Sequence, residues 1–201
     1  MSHESAAIRL PAACERALLE RFLKAEAMAM WAVQAAQAQD LPESVLAFLR
    51  HHEADEARHL RRFEALLGVS PMTRAELPTV PNQWCALAVL LFGYEALGLE
   101  FARLLADVRP DMADIVRDEE THVGFFARQL RELLQRDERA ARCARSAAQG
   151  WWKKFPKTLD RYLGDPSLAD YREVLRAEMI QRLRRAFVEL TLLPTSDDAA
   201  R

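Results

Sequence analysis

The chain has 201 residues, half of them apolar, with 29% charged side chains, six glycines and a net charge of −2. That length fits one domain spanning 1–201 with a sizeable buried core. Ala, Leu, Arg and Glu dominate and runs of Val, Ile and Thr are missing, which argues for an all-α fold and against strands.

In chain order, the first helix is expected from about Pro11 to Gln39, followed by the turn Asp40-Leu41-Pro42. Pro42 suits the first position of a second helix, which runs to Leu67 with Gly68 as its terminator. Residues 69–82 contain Pro71, Pro78 and Pro81 and cannot form a continuous helix. A third helix is expected from about Gln83 to Ala106. A fourth follows the Arg109-Pro110-Asp111 turn and reaches about Gln135, closing a core bundle of about 11–135. Two more helices form an extension over 137–193: Asp137–Tyr162, disturbed near Pro156, and Pro166–Leu192. The second helix is roughly 37 Å long at 1.5 Å per residue. The segment after it can stretch to roughly 45 Å. It can therefore run the full length of a bundle and join two hairpins by one long crossover.

The three cysteines, Cys14, Cys85 and Cys143, form no CxxC pair and suggest no disulfide framework, so a reducing cytoplasm is expected. Residues Met1 to Ala7 are polar, and the apolar stretch Trp84 to Phe92 is too short to span a bilayer, so no membrane association is expected. Charge is uneven: residues 1–122 carry a net of −7 and residues 123–201 a net of +5. The basic excess centres on residues 127–161, around Trp151-Trp152-Lys153-Lys154. Such a face can bind RNA, dock on an acidic partner, or simply be solvated.

The two hairpins repeat one pattern. Glu26-Ala27-Met28-Ala29 precedes Asp55-Glu56-Ala57-Arg58-His59 with Phe63 beyond it. Glu95-Ala96-Leu97-Gly98 precedes Asp118-Glu119-Glu120-Thr121-His122 with Phe126 beyond it. Residues three apart share a helix face, so Glu56 can converge with His59 and Glu119 with His122. All six of Glu26, Glu56, His59, Glu95, Glu119 and His122 lie on apolar stripes, such as Leu19, Phe22, Leu23 and Val33 around Glu26. Four buried carboxylates without compensation cost several kcal/mol each or take up protons. Two divalent cations remove that cost, and mixed carboxylate and imidazole donors suit iron or manganese.

This pattern resembles the di-iron carboxylate proteins of the ferritin-like superfamily, which include rubrerythrins, ribonucleotide reductase small subunits and di-iron monooxygenases; it covers roughly Leu18 to Leu134. The resemblance implies a ferritin-like four-helix bundle with one long crossover, here followed by two C-terminal helices. It also implies a Glu ligand from each of helices 1 and 3 and a Glu-x-x-His from each of helices 2 and 4. Carried over, the ligands to two iron (or manganese) ions are Glu26, Glu56, His59, Glu95, Glu119 and His122. In helix 3, Glu100 competes with Glu95: its distance from the turn matches Glu119 better, but Glu95 repeats the context of Glu26 and Glu100 can pair with Arg103.

Around these, Asp55 and Asp118 are expected to orient His122 and His59, with Arg58 pairing with one of them. His51 and His52 lack a Glu three residues away; His52 shares the ligand stripe but is left outside the ligand set. Glu53 reads as either a support for the ligands or a surface acid. Tyr94 reads as a packed aromatic, while Ala29, Gly98 and Ala102 are expected to leave room for oxygen or substrate. The implied activity is an O₂-dependent oxidase or hydroxylase acting on a small-molecule substrate with an external electron donor; the oligomeric state is left open, a homodimer being one option. Two alternatives stand beside it: a metal-free bundle serving as a binding scaffold, and an RNA-modifying hydroxylase suggested by the basic tail.

Overall fold

A computed structural model describes residues 10–73 and 76–195. Six helices carry the fold: α1 (Glu15–Gln37), α2 (Glu43–Leu67), α3 (Trp84–Val108), α4 (Ala113–Arg136), α5 (Glu138–Tyr162) and α6 (Arg172–Glu189). Short 3-10 turns at Ala12–Cys14, Pro110–Met112 and Pro166–Leu168 lead into α1, α4 and α6, and no strand occurs among the described residues. The all-α helical bundle expected from composition is the fold observed.

Local chemistry sets the helix ends. Gly68 ends α2 at φ 65°, its N–H reaching the carbonyls of Glu64 and Ala65, a left-handed cap that other residues adopt only with strain. The Asp137 carboxylate starts α5 by accepting hydrogen bonds from the N–H groups of Arg139 and Ala140. Helix α5 runs unbroken through Pro156, where a disturbance was expected. One turn earlier, Trp151 stacks on Phe155 at 4.8 Å and on Phe187 at 5.0 Å, and this packing carries the helix across the missing hydrogen bond. The last helix is shorter than its apolar pattern suggested, because the Asp165 carboxylate caps a separate 3-10 turn through the Ser167 N–H.

Ion pairs report the topology. Arg109, just after α3, meets Glu15 at the start of α1 at 2.8 Å, so α1 and α3 are antiparallel. Arg62, late in α2, meets Asp114 at the start of α4 at 2.9 Å, so α2 and α4 are antiparallel too. Gln39, in the α1–α2 turn, donates to the carbonyl of Pro81, just before α3, at 2.9 Å. The segment between α2 and α3 therefore returns along the bundle from the far end of α2 to the α1–α2 turn. Two hairpins joined by one long crossover is the arrangement that results.

Helix α3 is the centre of the molecule, packing on α1, α4, α5 and α6. It is long and apolar enough to cross a membrane by length and composition, yet 78% of its most apolar window is buried inside the bundle. A Cβ added at Gly93 would lie 2.5 Å from the Trp151 ring, so the missing side chain is what admits α5 this closely. Helix α5 lays its small face, Ala141, Ala144 and Ala148, on the core and leaves Arg139, Arg142, Lys153 and Lys154 exposed.

The cysteine expectation needs correction. Cys85 on α3 and Cys143 on α5 form a disulfide across 58 residues of sequence, leaving Cys14 as the buried free thiol. Scattered spacing gave no hint of this, because tertiary packing, not sequence proximity, brings the two together. A disulfide is uncommon in a reducing compartment, so the cysteines no longer support a cytoplasmic setting. A loop of this length implies that reduction, or Cys85→Ser, costs about 4 kcal/mol of stability. Thermal unfolding with and without a reductant checks this; an unchanged midpoint would show that the bridge contributes nothing.

Candidate metal centre

The structure brings together all six residues singled out by the repeat. Glu26 comes from α1, Glu56 and His59 from α2, Glu95 from α3, and Glu119 and His122 from α4, each at most 3% exposed. They fall into two groups of four whose donor atoms lie within 4.8 Å of one another. Glu26, Glu56, His59 and Glu119 form one group; His52, Glu56, Glu95 and His122 form the other. Glu56 belongs to both. Glu100 lies apart, held by Arg103 at 3.0 Å and by Arg182 of α6 at 2.8 Å, so α3 contributes Glu95 to the centre.

His52 is the residue that the repeat concealed. It is fully buried, with Nε2 3.0 Å from Glu56 and 3.2 Å from Glu95, and its ring packs on His122 at 3.9 Å. A signal existed: His52 lies one helical turn before Glu56, where side chains share a face. The equivalent position in the other hairpin, four residues before Glu119, is the buried Ile115. The pattern common to both halves therefore excluded His52. His51, by contrast, is exposed and reaches only Asp55, at 3.5 Å.

His59 and His122 are oriented from behind. His59 Nε2 lies 3.1 Å from Asp118, and His122 Nε2 lies 3.4 Å from Asp55. Arg58 clamps both aspartates at 2.6 Å, one more than the sequence assigned to it. With Nε2 engaged outward, each ring turns Nδ1 toward the carboxylates. His59 Nδ1 lies 3.4 Å from Glu26, and His122 Nδ1 lies 3.4 Å from both Glu56 and Glu95. These carboxylate–imidazole relays fix ring orientation as they do for metal-bound histidines. Asp118→Ala should weaken metal affinity by about 10- to 100-fold. Competition against a fluorescent chelator measures this, and an unchanged affinity would reject the orienting role.

Electrostatics describe a cluster short of positive charge. Burial pushes the Glu26 carboxyl up to about 7; a hydrogen bond with Glu56 opposes the rise and the charge of Glu95 adds to it. Burial also pushes Glu56 and Glu119 well above the carboxylate range, reinforced by neighbouring glutamates. Glu95 falls below its usual value: burial opposes this, but His52 and His122 outweigh it. The His52 imidazole rises to about 10, burial being overcome by Glu95 and Glu56. Glu26 Oε2 and the Nδ1 atoms of His59 and His122 are buried without a hydrogen-bond partner. Orphaned lone pairs and proton-seeking carboxyls in one cluster are what bound cations satisfy. These buried His and Glu groups can hold metal ions.

Other residues resolve as structural. Glu53 accepts hydrogen bonds from Gln34 and Gln37 at 2.7 Å, tying α2 to α1. Glu20 pairs with Arg16 and Glu120 with Arg103, both at the surface. Gly98 makes room for Glu119: a Cβ there would lie 2.8 Å from its Oε2. Ala29 and Gly98 line a cavity of about 480 Å³ that reaches Glu26, Glu56, Glu95 and Glu119. Ala102 does not; it is packed into the core with Ile115 and Phe101, because it sits one turn beyond the cavity floor. No known protein family, curated protein or solved structure matches this chain, so the chemistry of the centre is read from its own residues.

Proposed function

We propose that the chain is a di-iron carboxylate oxidoreductase of the ferritin-like kind, using dioxygen to oxidise or hydroxylate an organic small molecule. One observation carries this reading: two buried four-donor groups share Glu56, and their four glutamates line the floor of a cavity large enough for a small molecule. A purely structural centre gains nothing from such access. Glu26, His59 and Glu119 would hold one ion, His52, Glu95 and His122 the other, and Glu56 would span both. Bound iron would supply the electrons for dioxygen chemistry, work that side chains alone cannot do.

The protein's share is positioning and exclusion of water. Asp55 and Asp118, locked by Arg58, keep the two Nδ1 donors aimed inward. Phe48, stacked on Phe125 at 3.5 Å and edge-on to Phe126 at 5.8 Å, closes the side of the cluster nearest His52 and His122. Reaction is thereby confined to the cavity side, where Gly98 and Ala29 keep the wall thin. Manganese satisfies the same donors, and elemental analysis decides between the two metals.

The test is a single-turnover measurement on protein loaded with iron(II) without oxygen. Dioxygen should be consumed in proportion to the iron bound, and consumption should vanish in Glu56→Ala. Iron-loaded protein that consumes no dioxygen would sink the oxidase reading.

A further inference from the structure

The cavity above the centre has two ends of opposite sign. Its floor is Glu26, Glu56, Glu95 and Glu119, and its walls are apolar or aromatic, among them Phe22, Leu91, Leu97 and Phe101. Pro78, Thr79 and Val80 of the crossover border it. At the rim stand Met28 and Tyr94, 44% and 43% exposed, together with three cations: Arg21, Lys24 and Arg161. Among the described residues, no carboxylate other than the floor glutamates lines the cavity.

The three cations are available. None has a carboxylate within 4 Å among the described residues; Arg161 donates only to Thr158 Oγ1, at 3.2 Å, and Arg21 senses Asp165 through charge alone. Two of them, Arg21 and Arg161, also act on one place. Burial pushes the Tyr162 phenol up and the charge of Tyr94 adds to this, while Arg161 and Arg21 draw it back. Cations from α1 and α5 thus converge beside one another at the rim. Arg21 precedes Glu26 by five residues and Lys24 precedes it by two, about 7.5 and about 3 Å along the axis of α1, so Arg21 marks the far end of the rim from the floor.

We infer that this cavity takes an amphipathic oxyanion, with an apolar body between α1 and α3 and a single anionic head held by Arg21, Lys24 and Arg161. The orientation follows from charge. Three cations at the rim attract an anionic head, and the wall between rim and floor is apolar, so the apolar end points at the centre. Arginine forks match carboxylate and phosphate oxygens alike. The proposal rests on the oxidase reading only in making this ligand the substrate; the binding preference stands on the cavity itself.

Isothermal titration of the full chain with octanoate, octyl phosphate and octanamide tests it, both as isolated and after anaerobic iron(II) loading. At least one of the two anions should bind about tenfold or more tightly than octanamide, as a charge-assisted contact implies. Which anion binds better separates a carboxylate from a phosphate head. Arg21→Gln/Lys24→Gln/Arg161→Gln should abolish that preference while leaving octanamide affinity unchanged; Lys24 and Arg161 are exposed and Arg21 half-buried, and circular dichroism verifies the fold. Ala29→Phe should fill the body of the cavity and weaken every probe. Equal affinity for octanamide, a preference that survives the triple substitution, or binding of neither anion would overturn the proposal. Anion binding without dioxygen consumption would remove the oxidase reading and leave the cavity's preference intact.

Discussion

Glu56→Ala should empty both metal positions at once, whereas Glu26→Ala or Glu95→Ala should each empty one. The asymmetry comes from connectivity: Glu56 is the residue common to the two donor groups, while Glu26 belongs only to the His59 group and Glu95 only to the His52 group. Losing Glu56 removes a carboxylate from each ion and leaves each with three donors. It also deprives His52 Nε2 of its 3.0 Å partner. Elemental analysis after anaerobic iron(II) loading and desalting should give two ions per chain for the parent protein and none for Glu56→Ala. The single-position variants should retain one. Helical content must be unchanged, and it should be, because truncating a buried acid that burial already disfavours relieves repulsion among Glu26, Glu56 and Glu119. One ion retained by Glu56→Ala would mean that the two groups are not bridged.

His52→Ala sharpens this. It should empty only the Glu95 position and leave the His59 position loaded, since His52 has no counterpart in the other hairpin, where Ile115 packs instead. The two positions then differ in their donors: two carboxylates and two imidazoles at one, three carboxylates and one imidazole at the other.

What the sequence revealed and what it hid have different physical origins. Helical periodicity made Glu26, Glu56, His59, Glu95, Glu119 and His122 visible, since charged residues on apolar stripes are costly and so conspicuous. The second layer was equally legible: Asp55 and Asp118 precede their glutamates by one residue, which rotates them toward the opposite hairpin, and they do reach His122 and His59. The crossover was legible from prolines. His52 was hidden because a search for what the halves share discards what only one half has. The Cys85–Cys143 bridge was hidden because α5 docks on α3 through Gly93 and Trp151, a packing that no local pattern encodes. Ala102 was misplaced for a related reason: a small residue on the right stripe opens space only where nothing else fills it.

Metal-free protein should lose stability as pH rises from about 5 to 8, and metal-loaded protein should not. The sign follows from the cluster. The Glu26 pKa rises from the model-compound 4.5 to about 7 in the folded chain. The folded state therefore holds a proton that the unfolded chain releases, and the stability this contributes is present below about 4.5 and lost as pH climbs through about 7. Glu56 and Glu119 are shifted in the same direction, and so is His52, whose contribution fades between about 6.5 and about 10. Glu95, shifted downward, keeps its contribution at every pH above the ordinary carboxylate range and does not offset the others here. Below that range Asp55 and Asp114, also held low, lose theirs as pH falls, so metal-free stability should peak near pH 5. Glu26 alone accounts for roughly 3 kcal/mol, at 1.36 kcal/mol per pKa unit. For a chain of this size that is a fall in melting temperature of roughly 6–12 °C. Two ions take the place of the protons and bind deprotonated ligands, so the loaded protein should gain stability over the same interval. Melting temperatures of chelator-treated and iron(II)-loaded protein, compared from pH 5 to 8, should diverge steadily. A metal-free melting temperature that stays flat or rises would mean that the buried carboxyls are not protonated, and that the cluster is compensated by some route other than metal.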